Sequence, residues 1–210
     1  MARRNDHSRD ELREMALSAA EQLLDQEGAN ALSTRKVATA IGYSVGALYL
    51  VFKNLDDLCW QINARTLDRL LAQLNQVTDS NAHNEISGYA HRYLDFSQQW
   101  PHRWTLLFEH SSGDKQAPPW LLAKIEQLFE QLENALQRIF STSSQEQIQL
   151  AARTLWSGVH GVAVLVARDK LFSSAEGTAA AMVDGLISRY VAGWQLELDS
   201  KGLNCEGAEQ

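Results

Sequence analysis

The segment from Ser33 to Asn54, STRKVATAIGYSVGALYLVFKN, constrains the fold more than any other part of the chain. It holds two apolar patterns of about eight residues each, Val37 with Ile41 and Leu48 with Phe52, on either side of "GYS". Helices this short are unstable alone, because nucleation is costly and few bonds follow it. Each must therefore bury its apolar face against something else. Ser33 is placed to cap the first pattern and Ser44 the second, and Gly42 sits where the chain must turn. The third wall is upstream. Ser8 and Glu11 have capping-box spacing, and Leu12, Ala16, Ala19 and Leu23 recur on one helical face up to Gly28.

Three helices in this order form a helix-turn-helix unit, whose last helix can enter a major groove. Its outward face carries Ser44, Gly46, Ala47 and Tyr49. Small side chains allow close backbone approach, and a phenol can donate to a phosphate oxygen. A plain three-helix core with no nucleic-acid role fits the same periodicity. Bulk charge does not decide between them. The 210 residues carry a net charge of −7, so any DNA contact must come from a local patch. Residues 1–60 hold seven Lys+Arg and nine Asp+Glu, 7 − 9 = −2. Arg3, Arg4 and Arg9 are gathered at the start.

The rest also reads as helix. Asn54 can cap a fourth helix with Asp57 in its first turn, reaching about Asp79. Further helices are expected over 83–99, 101–110, 119–140, 145–170 and 175–198, separated by turn-rich "SNAHN", "SSGDKQAPP" and "STSSQ". The expectation is an all-α chain of about nine helices. Residues 199–210 read as a disordered tail. With 45% hydrophobic and 21% charged residues the composition is ordinary for a globular protein. The start lacks the apolar run of a secretory signal. The longest apolar run, VAVLVA, is too short to span a bilayer. Cys59 and Cys205 read as free thiols, which implies a cytoplasmic protein.

The segment LSTRKVATAIGYSVGALYLVFKN resembles the DNA-binding region of the TetR family of bacterial repressors. The likeness rests on Thr34 and Arg35, Val37-Ala38, Gly42, Ala47-Leu48-Tyr49 and Phe52, and covers about residues 8–60. It implies a helix-turn-helix DNA-binding domain over 1–54. Residues 55–198 would form a helical regulatory and dimerisation domain. The partners implied are a double-stranded DNA operator and a second copy of the chain. It also implies that Thr34 opens the second helix, that Arg35 reaches a base edge or phosphate, that Ser44, Val45, Gly46 and Ala47 face the groove, and that Tyr49 holds phosphate. The family usually carries a lysine three residues after the phenylalanine; here that position is Leu55, and Lys53 is the substitute at hand. Arg3 and Arg4 are expected to add phosphate or minor-groove contacts.

"WSGVHG", residues 156–161, is similar to a Trp-x-x-x-His-Gly signature in one branch of the family. The family pairs its last two helices into a dimer interface. Gly158 and Gly161 on one helix, with Val183, Ile187, Tyr190 and Trp194 on the other, are the candidates. A glycine inside a helix costs about 1 kcal/mol, which close helix approach would offset, either across a dimer or within the monomer. The aromatic residues Trp100, Trp104, Phe108, Trp120 and Trp156, with His91 and His160, are candidates to line a site for a small apolar ligand. Ordinary core packing is the alternative for each. His91, His102, His110 and His160 show no helical pairing suited to a metal, and no cofactor is expected. Ser157 and His160 stand one turn apart, but no nucleophile elbow or phosphate loop accompanies them, so an enzyme is not expected. A ligand-independent architectural or adaptor protein remains the alternative to a regulator.

Overall fold

The computed structural model describes residues 7–110, 116–171 and 177–206. Nine α-helices lie among them: α1 Arg9–Glu27, α2 Thr34–Ala40, α3 Val45–Leu48, α4 Leu55–Leu74, α5 Ala82–Gln99, α6 Pro101–Glu109, α7 Pro119–Ile139, α8 Gln145–Ala167 and α9 Thr178–Glu206. A 3₁₀ turn at Ala29–Ala31 follows α1. The described residues contain no strand, as the periodicity implies.

The chain divides into two compact units, Met1–Leu70 with Gln99–Ile125, and Leu71–Gln98 with Glu126–Gln210. The expected boundary after residue 54 is therefore not where the units part. The reason lies in α4. Its residues Leu58, Cys59 and Ile62 belong to the same core as α1, α2 and α3, and Arg65 and Arg69 pair with Glu21 of α1. The helix α6 adds Leu106 to that core.

In the first unit α1 begins with the expected capping box. Ser8 Oγ accepts from the Glu11 N–H at 3.2 Å, and the Glu11 carboxylate accepts from the Ser8 N–H at 2.6 Å. These bonds hold the Glu11 carboxyl below its usual pKa. The buried face of α1 is Leu12, Ala16, Leu17, Ala20 and Leu24, with Leu23 packed at its edge. The helix stops at Gly28, φ 81°. The conformation calls for glycine; a Cβ there would stand 3.3 Å from the ring of His102 on α6, which is exposed. The α6–α1 contact is also ionic. Arg103, 3% exposed, donates to both carboxylate oxygens of Asp25 at 2.7 Å and lies 3.1 Å from Glu21 Oε1. Burial opposes its charge, but the bonds to Asp25 and Glu21 outweigh this and raise its pKa. Cys59 is a buried free thiol whose pKa is pushed up to about 12, mainly by burial.

The second unit centres on Ile148, Leu155, Val183, Ile187 and Phe140, all under 3% exposed. Here α8 packs along α9. Three helix ends differ from expectation. The fourth helix stops at Leu74, because Val77 folds back onto α5; a Cβ on Gly88 would stand only 2.6 Å from Val77 Cγ1. The eighth stops at Ala167, closed by Asp169 at φ 50° and a Lys170 N–H bond to the Leu165 carbonyl. The ninth runs on through Glu206, so most of the expected disordered tail is helix. The stretch after Asp199 lacks proline, and extending an established helix is far easier than starting one.

Candidate nucleic-acid interface

The turn between α2 and α3 is built from local hydrogen bonds. Ser33 Oγ caps α2 through the Lys36 N–H at 3.2 Å, and Ser44 Oγ caps α3 through the Ala47 N–H at 3.2 Å. Gly42 takes φ 72°, the left-handed conformation that suits glycine. The Tyr43 N–H then closes on the Ala38 carbonyl at 2.9 Å. Val37, Ala38, Leu48, Val51 and Phe52 are buried beneath.

The third helix is shorter than its expected eight residues; regular α-helix covers four. Tight turns replace its last part, with the Val51 and Phe52 N–H groups both bonded to the Leu48 carbonyl, at 3.0 and 2.9 Å. Val51 and Phe52, three and four residues after Leu48, stay on its buried face. The next helix is started by a reciprocal pair: Asn54 Oδ1 accepts from the Asp57 N–H at 2.9 Å, and Asp57 Oδ2 accepts from the Lys53 N–H at 2.8 Å. The expected Asn54 cap is present.

These bonds leave one outward face. Arg35, Ser44, Gly46, Tyr49 and Lys53 are exposed, Tyr49 by 54%. Thr34, Val45 and Ala47 are half-buried, and Val45 and Ala47 also pack against the core. A Cβ on Gly46 would meet only Ser44 Oγ, at 3.7 Å. The fold itself therefore makes no demand for glycine there, and the exposed backbone is open to close approach. Leu50, 56% exposed beside Tyr49, also stands on this face; an apolar residue inside an apolar run gives no signal of exposure. Lys36, also exposed, is held by Glu27 at 2.7 Å. Arg3 and Arg4 lie outside the described residues.

The residues expected to line a ligand site fall in different units. Trp100, Trp104, Phe108 and Trp120 belong to the first. Trp104 is 2% exposed and packs on Phe108 at 5.1 Å. Trp100 has the Arg69 and Arg103 guanidinium groups each 5.4 Å from its ring, and Trp120 is exposed. His91, Trp156 and His160 belong to the second. His160 stacks on Trp156, and its Nδ1 is 2.7 Å from the Tyr93 hydroxyl. Burial lowers the His160 pKa, favouring the neutral ring. Phe129 meets Trp156 edge-on at 5.6 Å, and the Arg153 guanidinium lies over the Phe129 ring at 4.6 Å. His91 instead pairs with Asp184 at 2.8 Å and lines a cleft of about 380 Å³ with Leu94, Asp95, Val166 and Thr178. Ser157 Oγ donates to the Arg153 carbonyl at 2.7 Å, an ordinary helix bond.

The residues expected at a dimer interface also divide. Val183 and Ile187 are fully buried in their own chain. Gly158 is closed by Leu186, whose Cδ2 would stand 2.4 Å from an added Cβ. Val183 and Ile187 serve packing within the monomer and are not available to a partner, while Gly158 is half-buried. Trp194 packs on Phe140 at 4.0 Å and on Tyr190 at 6.3 Å, and both are half-buried. Gly161 differs, since a Cβ there meets nothing within 4 Å.

Comparison with known proteins gives concordant results. Residues 16–59 match the family described as bacterial regulatory proteins, tetR family. Residues 86–190, half of the chain, match the tetracyclin repressor-like C-terminal domain. Over 60 residues the chain is 35% identical to an HTH-type transcriptional regulator of Staphylococcus aureus (strain bovine RF122 / ET3-1), a match covering 29% of this chain and 32% of that protein. This chain thus spans about a third of the length of the curated relatives it matches. Among solved structures, a TetR-like transcriptional regulator from Rhodococcus sp. RHA1 is similar at a TM-score of 0.61 and 20% identity, covering 86% of this chain and 96% of that one. A TetR variant from Acinetobacter baumannii AYE, in complex with minocycline, gives 0.63 at 18% identity, covering 86% and 94%. At these identities the structural likeness speaks for the fold.

Proposed function

Because the chain belongs to the TetR family of DNA-binding transcriptional regulators, which are not enzymes, we propose that it is a cytoplasmic repressor. On this reading it holds a two-fold-symmetric operator as a homodimer and leaves it when a small, largely apolar molecule binds. The observation that carries the reading is the outward face of α2 and α3. Leu48, Val51 and Phe52 are locked in the core while Arg35, Ser44, Gly46, Tyr49 and Lys53 stand exposed. This face carries the cations Arg35 and Lys53 with the hydroxyls of Ser44 and Tyr49, and it includes the N-terminal turn of α3, which supports a role in meeting a major groove.

The dimer is supported by α8. Over 18 residues its mean hydropathy is 1.4, enough by length and composition for a membrane span, yet only 33% of that window is buried. Leu150, Thr154, Ser157, Gly161 and Leu165 form an exposed row along it, Leu150 by 69%. On α9, Met182 and Leu196 are exposed by 42% and 70%, and a Cβ on Gly193 would meet nothing within 4 Å. Apolar side chains beside open glycines suit a second copy of the same two helices. Ligand control is supported by the neutral His160 beside Tyr93 and Trp156, an apolar setting with a hydrogen-bonding pair.

The test is selection of duplexes from a random-sequence pool, followed by footprinting. The expected result is a palindrome with half-sites 34–36 Å apart, or a multiple of that spacing. Tyr49→Phe should weaken binding by ~1 kcal/mol through loss of one hydrogen bond. Binding that ignores sequence would overturn the operator reading in favour of an architectural role.

A further inference from the structure

The stretch around α3 is poor in the groups that read bases by hydrogen bonding. Specific pairs in a major groove are made by Arg or Lys to guanine, Asn or Gln to adenine, and Asp or Glu to cytosine. From Ser44 to Leu50 the chain contains none of these residue types. Ser44 Oγ already accepts from the Ala47 N–H. Tyr49 offers a single hydroxyl. The other exposed positions are Gly46, which has no side chain, and Leu50, 56% exposed. Arg35 and Lys53, the cations of this face, stand before and after the stretch.

Leu50 is held outside the core by its neighbours. Val51 and Phe52 take the core positions, at 6% and 4% exposed. The Leu50 N–H is bonded to the Ala47 carbonyl at 3.2 Å, a bond of 3₁₀ type, and side chains three apart in such a turn stand one above the other. Gly46 is four residues back. A Cβ there would come within 4 Å of nothing but Ser44 Oγ, so neither Tyr49 nor Leu50 fills the space beside it. A single exposed leucine is ordinary on a protein surface. One within a face that lacks every base-pairing side chain calls for an apolar partner.

We propose that α3 reads its operator through thymine methyl groups, with Leu50 as the specificity-determining side chain. This rests on the DNA-binding reading of α2 and α3. The C5-methyl of thymine is the apolar group that a base pair presents in the major groove. Leu50 covers it, Gly46 lets the backbone come near, and Arg35 and Lys53 supply positive charge for the phosphates. From Gly46 to Leu50 the chain advances roughly 6–8 Å, about two base-pair steps, so the methyl readout is confined to adjacent pairs.

Uracil and 5-methylcytosine are the probes. A duplex selected by the wild-type chain is labelled, and each thymine of a half-site is replaced in turn by uracil, which keeps the base pairing and lacks only the methyl. Binding is read by fluorescence anisotropy for wild type and Leu50→Ala, with far-ultraviolet circular dichroism confirming that the exposed truncation leaves the fold intact. Wild type should lose roughly fourfold in affinity at one thymine, or at two in adjacent pairs, the worth of one buried methyl. Leu50→Ala should bind the thymine duplex more weakly and be indifferent to uracil there. Exchanging that T·A pair for C·G should weaken wild type, and 5-methylcytosine in place of the cytosine should restore most of the loss; Leu50→Ala should show no recovery. Uracil tolerated by wild type at every position would overturn the proposal. So would an equal uracil penalty in wild type and Leu50→Ala, since the methyl would then be sensed elsewhere. Failure to select any duplex would overturn the operator reading and the proposal with it, whereas a selected duplex indifferent to uracil overturns the proposal alone.

Discussion

Arg103→Met isolates the energetic weight of the ionic contact between α6 and α1. The substitution keeps a stem of similar shape and removes the guanidinium. Removing one partner of a buried pair commonly costs 3–5 kcal/mol, because a carboxylate is left without its counter-charge. Two features place this case near the lower end. Glu21 keeps Arg69 at 3.4 Å and Arg65 at 3.9 Å, and the Asp25 side chain is 33% exposed and can recover water. Loss of the guanidinium near Trp100, 5.4 Å from its ring, adds roughly 0.5–1 kcal/mol. The expected loss is then about 3–4 kcal/mol. For a chain of this length that is a fall in Tm of roughly 6–16 °C, read by far-ultraviolet circular dichroism. Adding Glu21→Met should recover part of the loss, since it removes the stranded carboxylate. A Tm within about 2 °C of wild type for Arg103→Met would refute the reasoning. So would a further full decrement on adding Glu21→Met, because the stranded charge would then not be the source of the cost.

Two glycines of α8 should answer differently to the same change. Gly158→Leu must displace Leu186, and overpacking of this kind costs ~1–3 kcal/mol of monomer stability. Gly161→Leu enters open space; it should leave folding unchanged and weaken self-association, as measured by sedimentation equilibrium. An intact dimer in Gly161→Leu would remove that glycine from the interface. The pH dependence of stability should carry a signature of His160. Its folded pKa is lowered from 6.5 by burial. Above 6.5 the ring is neutral in both states and contributes no dependence. As pH falls below that value the unfolded chain takes up the proton first, so stability drops. Urea midpoints between pH 8 and pH 5 should fall less steeply in His160→Gln; equal slopes would show that this histidine is not responsible.

The parts of the fold that could be read in advance are those governed by neighbours in sequence. The caps Ser8, Ser33, Ser44 and Asn54 bond within three residues of themselves, so their residue types announce them. Val37, Leu48 and Phe52 reveal their burial by spacing. What periodicity could not reveal is where distant segments meet. The end of α3 at Leu48, where tight turns take over, has no glycine or proline to mark it. The end of α4 depends on Val77 meeting Gly88. Arg103 is a charged residue in a buried position because of carboxylates 78 or more residues earlier. Val183 and Ile187 form an apolar stripe either way, whether it faces a partner or α8; only packing shows that it faces inward. The outward face of α2 and α3 was legible because the family resemblance fixed its register. The His7–Tyr43 bond was not, since neither residue stands out by type or spacing.

The ion pairs on the first unit bear on how such a protein finds its target. Arg13 is taken by Asp10, Lys36 by Glu27, Arg65 by Glu14 and Arg69 by Glu21. Among the described residues of α1 to α3 and the turn after them, Arg9, Arg35 and Lys53 stand outside these pairs to hold arbitrary DNA. Sequence-indifferent affinity arises almost entirely from counterion release, with Kd of roughly 10⁻⁴–10⁻⁶ M for typical regulators, and this surface belongs at the weak end. Such a protein spends less of its time sliding on the chromosome and more of it free between encounters. The chromosome then soaks up few copies, and occupancy of a target site follows the number of molecules in the cell more directly than it does for a strongly basic regulator.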